Sequence, residues 1–347
     1  MGEICLVTGA TGFVGSNVIN ALLSRGKQVR ALVLPGDPAA SRLPEGVEVV
    51  AGDVLQPDSM APLFDVPQGT DITVIHCVGI ISMSWQVEDM VRRVNVTGTH
   101  HVVDWCLKAG VKRLVYVSTV HAIEEKPHGQ VMTEPDFFDP DRMVGGYAKT
   151  KAEATALVMD AVHQQGLRAS VVFPSGICGP GDIAGGFLTQ MFIDYAAGRI
   201  PAGVKGGYSF VDVRDVADAI ATCAEKGADG QGYILAGHYA TIREMFSILH
   251  EDCGMKRTRL YVPLWVAKLG LPLFSLYYRQ KKQKPVFTSY SLTTLASNGL
   301  FSSARAREEL GFSPRPLRDT FIDTTAWLRK EGKIVVSQAC IDKPLRL

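Results

Sequence analysis

The chain has 347 residues, 36 Lys and Arg against 35 Asp and Glu, and 46% hydrophobic residues, for a formal net charge of +1. This excludes a disordered or collagen-like chain, and near-neutrality removes the basic footprint of a protein that grips many nucleic-acid phosphates, so no nucleic-acid partner is expected. The seven cysteines are scattered and nowhere spaced C-x-x-C, so neither a metal site nor a disulfide framework is expected, and a start without a basic, long apolar leader predicts a reducing, cytoplasmic setting.

Strand-length apolar runs fall at residues 4–8, 28–34, 47–51, 73–78, 113–118, 169–174 and 232–235. Amphipathic helical stretches at 14–25, 87–109 and 143–165 lie between them, closed by Gly26, Gly110 and Gly166 where a left-handed C-cap belongs. Alternation of strand and helix predicts β-α-β units, hence an α/β fold with a doubly wound parallel sheet covered on both faces. A single core stops growing at roughly 250–300 residues, so a smaller C-terminal α/β lobe is expected beside the main domain. The rhythm turns irregular and glycine-rich after Pro174, where that lobe begins. The predicted division is 1–175 for the main domain, with 208–235 returning to it, 176–207 and 236–335 for the substrate lobe, and 336–347 as a tail.

Residues 260–278 hold 14 hydrophobic residues in 19 and are followed by Arg279, Lys281, Lys282 and Lys284. Pro263, Lys268, Gly270 and Pro272 break the run below the ~18–20 apolar residues a membrane span needs. The plain reading is a buried lobe helix. Two sharper ones are the wall or lid of an apolar substrate pocket, built by Trp265, Leu269, Leu273 and Phe274, and an interfacial helix held on a membrane by its basic flank. Of these two the pocket is preferred.

Two local patterns carry chemistry. The first strand runs into Thr8-Gly-Ala-Thr-Gly-Phe-Val-Gly15, with Gly9, Gly12 and Gly15 at a strand-to-helix turn. Bare backbone lets a ligand approach closely, and a helix starting near Phe13 and Val14 aims unpaired N–H groups and a positive dipole end at an anion such as a pyrophosphate. Farther on, Tyr147 and Lys151 stand four residues apart, on one helix face, where a phenol and an ammonium can form an acid–base pair. A free tyrosine titrates near ~10, and lowering it toward neutrality requires roughly 4 kcal/mol of preferential stabilisation of the phenolate.

With Gly52-Asp53-Val54, His76-Cys77-Val78-Gly79, Asn95-Val96-Thr97-Gly98-Thr99, Val117-Ser118-Thr119 and Gly179-Pro180-Gly181-Asp182, these patterns occur in an order that resembles an extended short-chain dehydrogenase/reductase of the NAD-dependent epimerase/dehydratase superfamily. The resemblance spans most of the chain and implies a Rossmann domain, an NAD or NADP cofactor and a homodimer packed through the helices at 87–109 and 143–165. It implies that Tyr147 gives or takes the proton at the reacting oxygen. Thr119, with Ser118 as its neighbour, would hold that oxygen, and Lys151 would bind the nicotinamide ribose while lowering the tyrosine. Thr11 belongs to the implied pyrophosphate turn. Asp53 is the implied adenine contact, with Val54 beside it; Cys77, Val78 and Gly79 run beneath the cofactor; Pro174, Ser175, Gly176 and Ile177 flank the carboxamide. Asn95 is either structural or part of a proton path.

Cofactor choice is weakly marked, because the second strand ends Leu32-Val33-Leu34-Pro35-Gly36-Asp37. Asp37 stands three residues late for a ribose 2′-hydroxyl, and Arg42 is the cation within reach of a 2′-phosphate; the balance falls to NAD. Sugar-nucleotide epimerases of this superfamily carry an Arg where this chain has Tyr208, and a missing cation weakens a diphosphate site. The segment Phe210-Val211-Asp212-Val213-Arg214-Asp215-Val216-Ala217 instead resembles the dihydroflavonol reductase and 3β-hydroxysteroid dehydrogenase branch. The expected reaction is therefore interconversion of a secondary alcohol and a ketone on an apolar, steroid-like or polycyclic molecule. A sugar-nucleotide epimerase or dehydratase and a non-catalytic dinucleotide-binding regulator are the alternatives.

Overall fold

The computed structural model describes residues 2–200, 202–280 and 288–335, the side chains of 273–280 excepted. In chain order its first half runs β1 (Glu3–Thr8), α1 (Phe13–Ser24), β2 (Gln28–Val33), β3 (Val47–Ala51), α2 (Ala61–Phe64), β4 (Asp71–His76), α3 (Asp89–Arg92), α4 (Gly98–Ala109), β5 (Arg113–Val117), α5 (Gly146–Gln165) and β6 (Ala169–Pro174). The second half runs β7 (Gly176–Cys178), α6 (Phe187–Ala196), β8 (Gly203–Val204), β9 (Gly207–Asp212), α7 (Val213–Lys226), β10 (Gly232–Leu235), β11 (His238–Thr241), α8 (Ile242–Glu251), β12 (Tyr261–Val262), α9 (Leu264–Gln280), α10 (Ser289–Leu295), α11 (Ala304–Leu310) and α12 (Leu317–Lys330).

All seven predicted strands join one sheet of order β10-β6-β5-β4-β1-β2-β3, parallel at every pairing. Alternation along each strand divides the core into two layers, because successive side chains leave opposite faces of a sheet. Cys5, Val7, Ile75, Val115 and Val172 face α1, α7 and α11. Leu6, Val74, Leu114, Tyr116 and Val171 face α2, α4 and α5. The chain reverses direction between β1 and β4, and the crevice at their carboxyl ends is the ligand position of an open doubly wound sheet.

The helix expected over 87–109 is interrupted. Residues Arg93–Thr97 form a π turn between α3 and α4, a local widening that commonly marks a functional position. Of the segment 208–235, α7 and β10 lie on the main sheet, whereas β9 pairs with β7 and β11 in a second, three-stranded sheet. That sheet, the β8–β12 pair and helices α6, α8, α9, α10 and α12 surround a third core led by Phe192, Phe210, Phe246 and Phe321.

Candidate active site

The glycine turn is shaped by close approach. Gly9 has φ +69°, and a Cβ there would stand 2.8 Å from the Cys77 and Val78 backbone. A Cβ on Gly15 would stand 2.1 Å from the Gly9 carbonyl oxygen, whereas one on Gly12 would meet only that oxygen, at 3.2 Å. Gly9 and Gly15 thus serve the packing of α1 against the ends of β1 and β4, and Gly12 is the glycine that looks outward. As N-cap of α1, Gly12 brings no side chain to the helix end, and the first turn holds no acid. The N–H groups of Phe13 and Val14 and the positive dipole end therefore remain uncapped, which fits a diphosphate.

Thr11 donates from Oγ1 to Asp37 Oδ2 at 2.7 Å, and Asp37 Oδ1 accepts from Ala39 N–H at 2.9 Å. The late acid is thereby bonded back to the glycine turn. Arg42, by contrast, lies 3.5 Å from Glu331 at the end of α12. Asp53 closes its own turn, accepting from Leu55 N–H at 2.9 Å. Val54 is buried, and a Cβ on Gly98 would touch it at 2.8 Å, so Gly98 lets α4 close over it.

Asn95, on the π turn, is fully buried and committed to structure. Its Oδ1 accepts from Ile80 N–H at 2.8 Å, and its Nδ2 donates to Ile80 O and to Thr150 Oγ1, each at 3.0 Å. Thr150 in turn donates to the Tyr147 carbonyl oxygen at 2.8 Å. This chain fixes the loop after Cys77, Val78 and Gly79 to the first turn of α5, where Tyr147 stands. Gly145, with φ +93°, and Gly146 complete the fit: Cβ atoms there would meet the Tyr290 ring at 2.2 Å and the Gln86 carbonyl oxygen at 2.1 Å.

The Thr119 side chain stands near the Tyr147 hydroxyl, where it acts to lower the phenol's pKa. Ser118, next in line along an extended backbone, must point the other way; its hydroxyl lies 2.7 Å from Thr155 Oγ1 on α5. Only Thr119 of the pair faces Tyr147.

Lys151, expected to bind the ribose and lower the tyrosine, is held by its neighbours on β5. It is 3% exposed, and its Nζ donates to the Tyr116 hydroxyl at 2.7 Å and to Val117 O at 2.8 Å. Burial holds its pKa down to about 7. Burial likewise pushes Tyr147 above the usual phenol range, with the neighbouring Thr119 side chain acting in the opposite sense. Among the protein's own groups desolvation outweighs stabilisation of the phenolate.

A polar row that sequence reasoning missed lies behind Lys151. Thr8, His76 and Tyr116 sit side by side in register at the ends of β1, β4 and β5. Thr99 Oγ1 donates to Asn95 O at 2.7 Å, so it accepts from His76 Nε2 at 3.0 Å, leaving Nδ1 to accept from Thr8 Oγ1 at 2.6 Å. Thr99 also stands near Tyr116, where it opposes the upward push of burial on that phenol. Desolvation holds His76 neutral, its pKa down to about 3. The available signal was that each of these polar residues occupies the last turn of an otherwise apolar strand.

Beyond β6 the chain turns through Pro174, Ser175, Gly176 and Ile177. The Ser175 hydroxyl is buried and finds no partner among the described residues. An orphaned donor here and an uncapped helix end at Gly12 are what a dinucleotide spanning the carboxyl edge of the sheet would satisfy. Past Val120 and Ala148, the chain neighbours of Thr119 and Tyr147, opens a cavity of ≈ 120 Å³, walled by Met143, Val144, Ser175, Tyr208, Tyr290 and Phe301 among others. The Tyr208 hydroxyl donates to Ser291 O at 3.1 Å, and burial pushes its pKa up to about 12. Arg142, at the rim, is paired with Glu124 at 2.8 Å.

Leu260, Trp265 and Leu269 do not line this cavity, so these residues do not supply the pocket wall expected of 260–278. Leu264, Ala267 and Leu271 pack on the third core, which turns Trp265 and Leu269 to solvent. The side chains of Leu273 and Phe274 lie outside the described residues, as do Lys281, Lys282 and Lys284. The Phe210–Ala217 segment is a bracket: Asp212 caps α7, Arg214 pairs with Asp212 and with Asp323 of α12, and Arg315 pairs with Asp215.

A doubly wound sheet whose carboxyl edge gathers a glycine turn, a buried lysine and a Tyr–Thr hydroxyl pair defines a dinucleotide-dependent oxidoreductase class. The model of the NAD dependent epimerase/dehydratase family matches residues 5–236. Sterol demethylase protein B of Methylococcus capsulatus is 32% identical over 95% of this chain and 99% of its own, and a putative dihydroflavonol 4-reductase of Synechocystis is 29% identical over 96% and 97%. The crystal structure of gox2253 superposes with TM-score 0.81 at 32% identity, over 96% of this chain and 99% of that one. The chain belongs to the NAD dependent epimerase/dehydratase family and is an enzyme of the extended short-chain dehydrogenase/reductase type, taking a small-molecule substrate and an NAD or NADP cofactor.

Proposed function

We propose that this enzyme interconverts a secondary alcohol and a ketone on an apolar, polycyclic small molecule. One observation carries the reading: Val120 and Ala148, the chain neighbours of Thr119 and Tyr147, line a cavity with a largely apolar wall in which Tyr208 stands as a neutral residue. The names of the sterol and dihydroflavonol relatives are of the same chemical kind. In this reading Thr119 holds the substrate oxygen, and Tyr147 gives it a proton on reduction or takes one on oxidation. Lys151 binds the nicotinamide ribose from its fixed seat on Tyr116 and Val117 O, and Ser175 meets the carboxamide. The bound nicotinamide supplies or accepts the hydride.

Within the same proposal, NAD is the preferred cofactor. The Asp37 carboxylate beside Thr11 would repel a 2′-phosphate, and Arg42 is engaged by Glu331. The cofactor half comprises 1–175 with 208–235, less the strand β9, and the remainder to 335 forms the substrate half. The test is turnover of reduced nicotinamide by the purified protein with steroid-like and other polycyclic ketones. Net consumption with these supports the reading. Conversion of nucleotide sugars without net consumption would replace it with an epimerase, and cofactor binding without either reaction would leave a regulator.

A further inference from the structure

The outward face of α9 is a surface that the fold does not account for. Trp265 is 66% exposed, Leu269 72%, and Leu260, just ahead of β12, 59%. At about 100° per residue, positions 265, 268, 269 and 272 fall within an arc of about 100°, and all four are exposed. The opposite face is already used, by Leu264, Ala267 and Leu271 against the core of the lobe. Both sides of the helix are thus apolar, and a grouped exposure of this kind marks an interaction site.

Charge identifies what would cover it. Residues 256–284 carry eight Lys and Arg, and no Asp or Glu occurs anywhere from 253 to 307, in a chain whose net charge is only +1. Lys256, Arg257, Arg259 and Lys268 are exposed, and no ion pair among the described residues engages their side chains. A second copy of this chain is a poor occupant, since a self-complementary contact would set these cations against their own symmetry mates. Among the described residues no helix is long and apolar enough to cross a membrane; a helix that presents Trp and Leu among cations lies on one.

We propose that this face docks on an anionic lipid surface. Leu260, Trp265 and Leu269 enter the boundary between headgroups and acyl chains, while Lys256, Arg257, Arg259 and Lys268 rest over the phosphates. The proposal stands on residues 256–269 and is independent of which substrate is turned over.

The test is co-sedimentation of the full chain with vesicles of phosphatidylcholine containing phosphatidylglycerol, and with phosphatidylcholine alone. Binding is expected to the anionic vesicles, falling as salt is raised. Replacing Lys256, Arg257, Arg259 or Lys268 by Gln is expected to weaken partition about fivefold per charge. The double variant Trp265→Ser, Leu269→Ser is expected to lose binding while its turnover in solution is unchanged. Brominated lipid should quench a part of the emission that is missing in Trp265→Phe, a conservative variant that keeps the test decisive if the double variant fails to express. Absence of binding by the wild type, binding that the double variant retains, or unquenched Trp265 emission would each overturn the proposal. So would a dimer that the double variant dissociates, which would assign the face to a second copy.

Discussion

At the scale of single residues, the site depends on which neighbour each polar atom meets. Tyr147 and Thr119 face each other, whereas Ser118 is turned to Thr155. Tyr147→Phe removes only the proton-transferring hydroxyl. Turnover is expected to fall by about 10²–10⁴-fold with cofactor affinity nearly unchanged, checked by steady-state kinetics beside a calorimetric titration of NAD. Lys151 gives a pH signature. Its folded pKa is held down to about 7 by burial, while an unfolded lysine titrates near ~10.4. Between those values the unfolded chain binds the extra proton, so this group makes the cofactor-free fold more stable as pH rises. Urea unfolding of wild type should gain about 2 kcal/mol from this group between pH ~7.5 and ~9.5. Lys151→Met should lose that gain and bind NAD more weakly; an equal pH dependence in both proteins would show that Lys151 is not buried as described.

Elements set these contacts through close backbone approaches. The three glycines of the first turn look equivalent along the chain, yet their surroundings differ. A branched side chain at Gly15 would be driven into the Gly9 carbonyl oxygen, and one at Gly12 meets only that oxygen, at 3.2 Å, tighter than ordinary contact but open to a shift of a few tenths of an ångström. Gly12→Val is expected to keep the far-ultraviolet spectrum and melting cooperativity while losing NAD affinity by more than tenfold. Gly15→Val should lose several kcal/mol of stability, the usual result of overpacking against immobile backbone. Wild-type NAD affinity in soluble Gly12→Val would place the cofactor elsewhere. The π turn at Arg93–Thr97 belongs to the same scale. Helical periodicity runs unbroken through it in the sequence, and in the structure the widened turn carries Asn95, whose side chain is bonded to Ile80 and Thr150.

Across the whole molecule, the two halves are bracketed by charges that are buried together. Burial pushes the Asp212 carboxyl up, but Arg214 prevails and holds it below the usual range. Arg214→Ala would leave Asp212 and Asp323 without their shared cation, a loss expected to cost about 3–5 kcal/mol in denaturant unfolding. A small change would mean that the carboxylates find other partners. The homodimer that the family resemblance implies, packed through α4 and α5 where Trp105, Leu157 and Met159 are only half-buried, is a proposal whose test is a light-scattering mass of twice the 37.6 kDa chain at micromolar concentration. That dimer should persist when Trp265 and Leu269 are replaced; a mass at the monomer value would count against it.

The sequence by itself determined the seven strands of the main sheet, the positions of their left-handed helix ends and the glycine turn. These follow from local rules: period-two or continuous apolar runs, and glycine wherever φ is positive or backbone must approach backbone. It also placed Tyr147, Lys151 and Thr119 in one family pattern. Only the tertiary structure decided that Lys151 would turn to Tyr116, that Thr8, His76 and Tyr116 would line up across three strands, and that Asn95 would be spent on holding a loop. Those outcomes depend on strand register and on which atoms burial leaves without water, neither of which is encoded in any short window. The same is true of residues 260–278. Their hydropathy could not say which side of α9 would meet the core, and packing of Leu264, Ala267 and Leu271 settled it by sending Trp265 and Leu269 outward.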